Sequence, residues 1–229
     1  MFSYKYLIIS ISLFLFFILP GCASRSNVFE FPQCEGQFCN ITAITKPLPP
    51  HAENGRYTID LDQFSILLPS PPLRIYRLLD GDIYVYFEKG DSLSFSLDSK
   101  KSLSEDDPWP DSSNYSIADS AEFIFTKTGK NLVGLTNKDD IWIMKRALFL
   151  KGELFNPHSE IQFSRKNDFS LYYWKDTAMK NVCFAYIFSK NIRDRYIRIS
   201  SSNMQFDDFK SIVASVTATD HFRIRRGDK

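Results

Sequence analysis

From residue 56 onward the hydrophobic positions fall into step with the polar ones. In Arg56-Tyr-Thr-Ile-Asp-Leu61, Tyr57, Ile59 and Leu61 share one face while Arg56, Thr58 and Asp60 share the other, which predicts a half-buried strand. Phe64-Ser-Ile-Leu-Leu predicts a second strand, ended by Pro69. Further strands are expected at Leu73 to Leu79, Ile83 to Phe87 and Leu93 to Leu97, separated by Asp80-Gly81-Asp82 and Lys89-Gly90-Asp91-Ser92. Glycine in such short links allows the positive backbone angles of hairpin turns, so these segments predict an antiparallel meander.

The period then changes. Asp119, with Glu122 three residues later, predicts the start of a helix that ends near Gly129. Asn137 or Thr136 predicts the cap of a second, with Asp139 and Asp140 in its first turn, Ile141, Met144, Ala147 and Leu148 along one face, and Gly152 just past its end. Alternation returns at Ile161 to Arg165, Phe169 to Trp174, Val182 to Phe188 and Tyr196 to Ser200. Phe206, Phe209, Ile212, Val213 and Val216 keep helical spacing and predict a closing helix. A meander, helices, more strands and a closing helix describe an α+β domain with a largely antiparallel sheet and two or three packed helices.

Two of these segments resemble the PsbP-like superfamily, which includes lipoproteins of bacterial envelopes. One is the opening strand followed by FSILLP; the other is the closing RYIRISSSNMQFDDFKSIVASV, a strand running into a helix. The resemblance implies an α+β sandwich.

The N-terminus follows a different rule. Lys5 is the one charged residue among the first 21, and an apolar run from Tyr6 to Leu19 follows it. That is the make-up of a secretory signal, whereas a spanning helix needs about 20 apolar residues. Leu19-Pro20-Gly21-Cys22 closes the run and resembles the bacterial lipobox. The resemblance implies that the Cys22 thiol carries a diacylglycerol, that residues 1–21 are removed and that the new amine is acylated. Each buried CH₂ contributes about 0.8 kcal/mol, so several chains on Cys22 would hold the protein durably where one would not. Ala23, in place of the Asp that marks retention at the inner membrane in enteric-type lipoproteins, implies the outer membrane, with the protein facing the periplasm. The competing reading is an ordinary signal or an uncleaved anchor.

Removing residues 1–21 takes Lys5 with it, so 28 basic side chains become 27 against 27 acidic ones, and the net charge falls from +1 to 0. That balance points away from nucleic acid. Residues 22–54, polar and broken by Pro32, Pro47, Pro49 and Pro50, are expected to be a lipidated tether, with a single domain over 55–220 and a solvated basic tail over 221–229. With Cys22 spent on lipid, Cys34 and Cys39 are the expected disulfide of an exported chain. Cys183, inside Val-Cys-Phe-Ala-Tyr-Ile-Phe, is either a small buried hydrophobe or a bridge to one of them.

Candidate chemistry is sparse. His51, His158 and His221 all fall in expected loops or termini, and neither a Gly-x-Ser-x-Gly elbow nor a His-Glu-x-x-His helix is present. No catalytic residue, metal ligand or cofactor is therefore expected. Carboxylate pairs at Asp139-Asp140 and Asp207-Asp208 fit the first turns of helices. Tyr172, Tyr173 and Trp174, with Tyr84, Tyr86 and Phe87, put aromatics on both faces of their strands, which suits either two covered faces or a surface for a partner. The long loop over 98–116 carries Asp106, Asp107 and, between two prolines, Trp109; the indole is either the loop's own anchor or a contact displayed to a partner. The sum is a lipid-anchored, non-catalytic module with a protein partner in the periplasm. An immunity protein against a periplasm-delivered toxin is one such module, and an envelope-maintenance or assembly accessory is the alternative.

Overall fold

The alternating segments do become strands. The computed structural model describes residues 37–50, 57–100, 109–110, 112–155, 160–219 and 224–226, and residues 31–229 make one compact unit. Its strands are β1 (Ile44–Thr45), β2 (Tyr57–Leu61), β3 (Phe64–Leu68), β4 (Arg74–Arg77), β5 (Ile83–Tyr86), β6 (Ser92–Ser99), β7 (Gln162–Lys166), β8 (Phe169–Lys175), β9 (Val182–Ser189), β10 (Arg195–Ser202), β11 (Thr217–Ala218) and β12 (Ile224–Arg226). They form an eight-stranded sheet in the order β1-β7-β8-β9-β10-β6-β5-β4 and a four-stranded sheet in the order β11-β3-β2-β12. Every pairing is antiparallel except β1 beside β7. The fold is α+β with antiparallel sheets.

Turn chemistry explains the tight connections. Asp62, Asn167 and Asn181, at the β2–β3, β7–β8 and β8–β9 turns, have φ of 54°, 49° and 57°, a left-handed region that short polar side chains tolerate. Gly81 and Gly90 take φ of 96° and 79° in the β4–β5 and β5–β6 links, where a side chain would be strained.

Among the described residues three α-helices complete the unit: α1 (Ile117–Thr126), α2 (Lys138–Leu154) and α3 (Phe206–Ala214). Helix α1 begins earlier than expected, because Ser116 and not Asp119 is its cap. The Ser116 hydroxyl accepts from the Asp119 amide at 3.1 Å while the Asp119 carboxylate accepts from the Ser116 amide at 2.8 Å, a reciprocal capping box. Asn137 caps α2, accepting from the amides of Asp139 and Asp140. That helix runs through Gly152 to Leu154 instead of stopping before the glycine.

Two cores lie on opposite faces of the large sheet. On one, Phe95, Leu171, Ala185, Ile187 and Ile197 meet Ile59, Phe64 and Ile66 of the small sheet and Phe209 and Val213 of α3. On the other, Tyr172, Trp174 and Phe188 meet Phe125 of α1 and Ile143, Met144 and Leu148 of α2. Leu171, Tyr172, Tyr173 and Trp174 therefore point alternately into different cores, and all four are buried. Covered faces on both sides account for the double aromatic pattern of β8.

The domain does not begin at Gly55. The Ala43 amide donates to the Phe125 carbonyl at 3.2 Å, Ile44 and Lys46 donate to Ile161 and Phe163, and the Ser164 hydroxyl donates to the Lys46 carbonyl at 3.0 Å. Residues 43–46, read from the prolines around them as tether, are thus fixed to α1 and the large sheet by backbone hydrogen bonds that no side-chain periodicity announces. At the other end, the expected solvated tail is corrected in part, since Ile224–Arg226 pairs with β2 as an edge strand.

Candidate functional site

The helices cover half a sheet. No residue of β4, β5 or β6 belongs to the core beneath α1 and α2. On β6, Leu93, Phe95 and Leu97 turn toward the inter-sheet core, which sends Ser92, Ser94, Ser96 and Asp98 to the helix side. Register carries the row onward: Ser94 faces Ser200 and Ser96 faces Arg198 on β10, while Ser92 and Ser94 face Tyr86 and Tyr84 on β5. Arg74 and Tyr76 of β4 lie opposite Tyr86 and Tyr84. A serine floor with a tyrosine margin results.

Local contacts hold that surface in shape. Ser94 and Ser200 share a 3.0 Å hydrogen bond between hydroxyls. Arg198 grips Asp98 with two nitrogens, Nη2 reaching Oδ1 at 3.0 Å and Nε reaching Oδ2. Burial pulls the Arg198 pKa down, but the hydrogen bonds and charge of Asp98 outweigh it and leave the guanidinium's pKa raised. Burial, then the Asp98 charge, pushes the Tyr196 hydroxyl well above its ordinary range. Tyr76 and Tyr86 meet edge to face with centroids 5.8 Å apart, and Arg74 reaches the Tyr76 hydroxyl at 3.5 Å.

Where the floor meets the helix layer there is a groove of about 400 Å³. Ser94, Ser96 and Ser200 lie at its base, Trp174, Phe184 and Tyr186 present aromatic rings, and Glu153 and Leu154 bring in the C-terminal turn of α2. The β8–β9 turn closes another side with Asp176, whose Oδ1 accepts from the amides of Ala178 and Met179 at 2.7 and 2.8 Å. Hydroxyls, two carboxylates, one paired guanidinium and aromatic edges make a site suited to holding a polar or charged group with an aliphatic stem.

The residues singled out from sequence fare differently. Trp109 is half-buried against the helical core with the Lys100 ammonium 5.7 Å from its ring centroid, and it is not among the groove residues, which favours its role as anchor. Asp106, Asp107, Cys22, Cys34 and the three histidines lie outside the described residues. Cys39 is buried and is not a free thiol, whereas Cys183 is free, fully buried and unbridged. Among the described residues, no cluster of three or more His, Cys, Asp or Glu could hold a metal ion, and no helix is long and apolar enough to cross a membrane.

The serine row escaped the sequence reading although its signal was present. Ser92-Leu-Ser-Phe-Ser-Leu-Asp-Ser99 alternates strictly, and Ser200-Ser201-Ser202 supplies its partner strand. No family model, curated protein or solved structure matches this chain.

Proposed function

We propose that this chain is a lipid-anchored, non-catalytic protein-binding module of the bacterial outer membrane that faces the periplasm. The observation that carries the reading is the serine and tyrosine face of β4, β5 and β6, which the helices leave uncovered among the described residues. Tyrosine offers a large, stiff, amphipathic contact at small entropic cost, and serine offers adaptable hydrogen bonds, the pairing that antibody paratopes use. Lysine, which protein interfaces avoid, is absent from the outward positions of β4, β5 and β6. Leu73, Tyr76, Leu78 and Tyr86 are exposed along the same margin.

The lipobox supports the address, and the periplasmic address supports a narrower reading: an immunity protein that neutralises a toxin delivered there. A photo-crosslinking residue placed at Tyr86 in envelopes should trap a specific protein, while the same residue at the exposed Lys130 should not. Equal trapping at both positions, or none, would sink the binding-face reading. Cys22→Ser should release the protein from membranes, and continued retention would refute the lipid anchor. A trapped partner that is a secreted toxin supports immunity, and an envelope assembly component supports the accessory role instead.

A further inference from the structure

We infer that the groove beside the serine floor receives a cationic side chain, lysine or arginine, displayed by the partner protein; this rests on the protein-binding reading above. Glu153 and Asp176 border the groove from two unrelated elements, the end of α2 and the β8–β9 turn. Neither forms an ion pair among the described residues. The one cation lining the groove among the described residues, Arg198, is already held by Asp98. Among the described residues the groove thus carries two carboxylates without a cationic partner, Asp176 having one oxygen engaged by the turn amides.

A second observation is independent of that charge. Ser96 is only 9 % exposed, it lines the groove, and among the described residues no side-chain hydrogen bond engages it. Its hydroxyl opens into the groove instead of being sealed from it, which leaves an acceptor free at the floor. The rings of Trp174, Phe184 and Tyr186 supply what the methylene stem and charged head of such a side chain favour, apolar contact and a cation–π surface. The volume of about 400 Å³ is ample for one long side chain with its flanking backbone. An anionic occupant would meet Glu153 and Asp176 with like charge, and a purely apolar one would leave Ser96 and both carboxylates unanswered.

The indole N–H resonance of Trp174, read by NMR on the detergent-solubilised full-length protein, reports occupancy. Blocked tripeptides Gly-Lys-Gly and Gly-Arg-Gly should shift it saturably, while the norleucine and acetyl-lysine analogues should bind at least tenfold more weakly, the loss of one charged hydrogen bond. Glu153→Gln and Asp176→Asn, both surface changes that keep the side-chain shape, should each weaken the lysine peptide about tenfold, and Ser96→Ala by several-fold. No saturable shift, or equal binding of lysine and norleucine peptides, overturns the proposal. Binding of spermidine but not of the lysine peptide would reassign the groove to a free amine and overturn the side-chain occupant. Crosslinks at Tyr86 that persist while the groove variants change nothing would refute the groove and leave the protein-binding reading standing; lysine-peptide binding without any crosslink would leave a cation-binding groove but overturn its partner-protein occupant.

Discussion

Phe125 of α1 stacks on Tyr172 of β8 with ring centroids 4.4 Å apart and planes 15° from parallel. Around the same ring lie Phe155, Trp174, Tyr186 and Phe188 at 5.2–6.4 Å, so one side chain ties α1 to the end of α2 and to the neighbouring strands β8 and β9. Phe125→Ala should cost about 3–5 kcal/mol through lost transfer energy and the cavity left behind. Urea unfolding checks this; a loss below about 1 kcal/mol would mean that the ring is not central to the layer.

Lys151 presents the opposite situation, a charge with no apolar justification. It is 0 % exposed on α2 and donates to the Lys127 carbonyl at the end of α1, with the Phe155 ring 5.4 Å from its ammonium. Burial lowers its pKa from 10.5 to about 8. The unfolded chain therefore binds more protons between those values, so stability rises with pH across that window. Melting temperatures taken from about pH 8 to 10 should climb in the wild type relative to Lys151→Met, which removes the titration. Parallel curves would show that the ammonium is better solvated than its position implies.

Asp140 anchors the chain that leads into α1. Its carboxylate accepts from the Ser113 hydroxyl at 2.8 Å, the Asn114 amide at 2.9 Å and the Asn114 side chain at 2.8 Å. Burial alone would raise its pKa, yet the hydrogen bonds of Asn114 and Ser113 bring it below the ordinary carboxylate value of 3.8. The folded state thus holds this proton less tightly than the unfolded one, and the resulting stability, present above that pH, fades as acid protonates the group. Asp140→Ala should cost about 1–3 kcal/mol at neutral pH and flatten the acid limb of the stability profile, as denaturant titrations at pH 7 and below 3.8 would show.

Cys183 should be chemically silent in the native protein. Burial pushes its pKa up, away from the reactive thiolate. Iodoacetamide should label one thiol only after denaturation, and a non-reducing peptide map should find Cys34 joined to Cys39. Native labelling of Cys183 would contradict its 0 % exposure.

Local chemistry explains which parts of this fold could be read in advance. Strands β2, β3, β6, β8 and β10 announced themselves because each has a polar or second-core face alternating with the inter-sheet core, as Ile59 and Leu61 do against Thr58 and Asp60. Strand β1 did not, since Ile44 and Thr45 are two residues, both exposed, whose attachment is made by backbone alone. The cap of α1 was misplaced by three residues because an Asp at N3 closes the capping box with Ser116 as a Glu would. The serine floor needed the non-local fact that β10 lies between β9 and β6, which no run of residues encodes. Its individual strands were legible; their side-by-side order was not.

The pairing of β1 with β7 also sets a mechanical limit. Under the lipid anchor proposed for Cys22, attachment at Ala43 leaves 20 residues between the two, against 32 if the fold began at Gly55. At about 3.5 Å per extended residue the longest reach shortens from about 110 Å to about 70 Å. That anchor would confine the domain to a thinner shell above its membrane and raise its effective concentration for anything else fixed to the same surface.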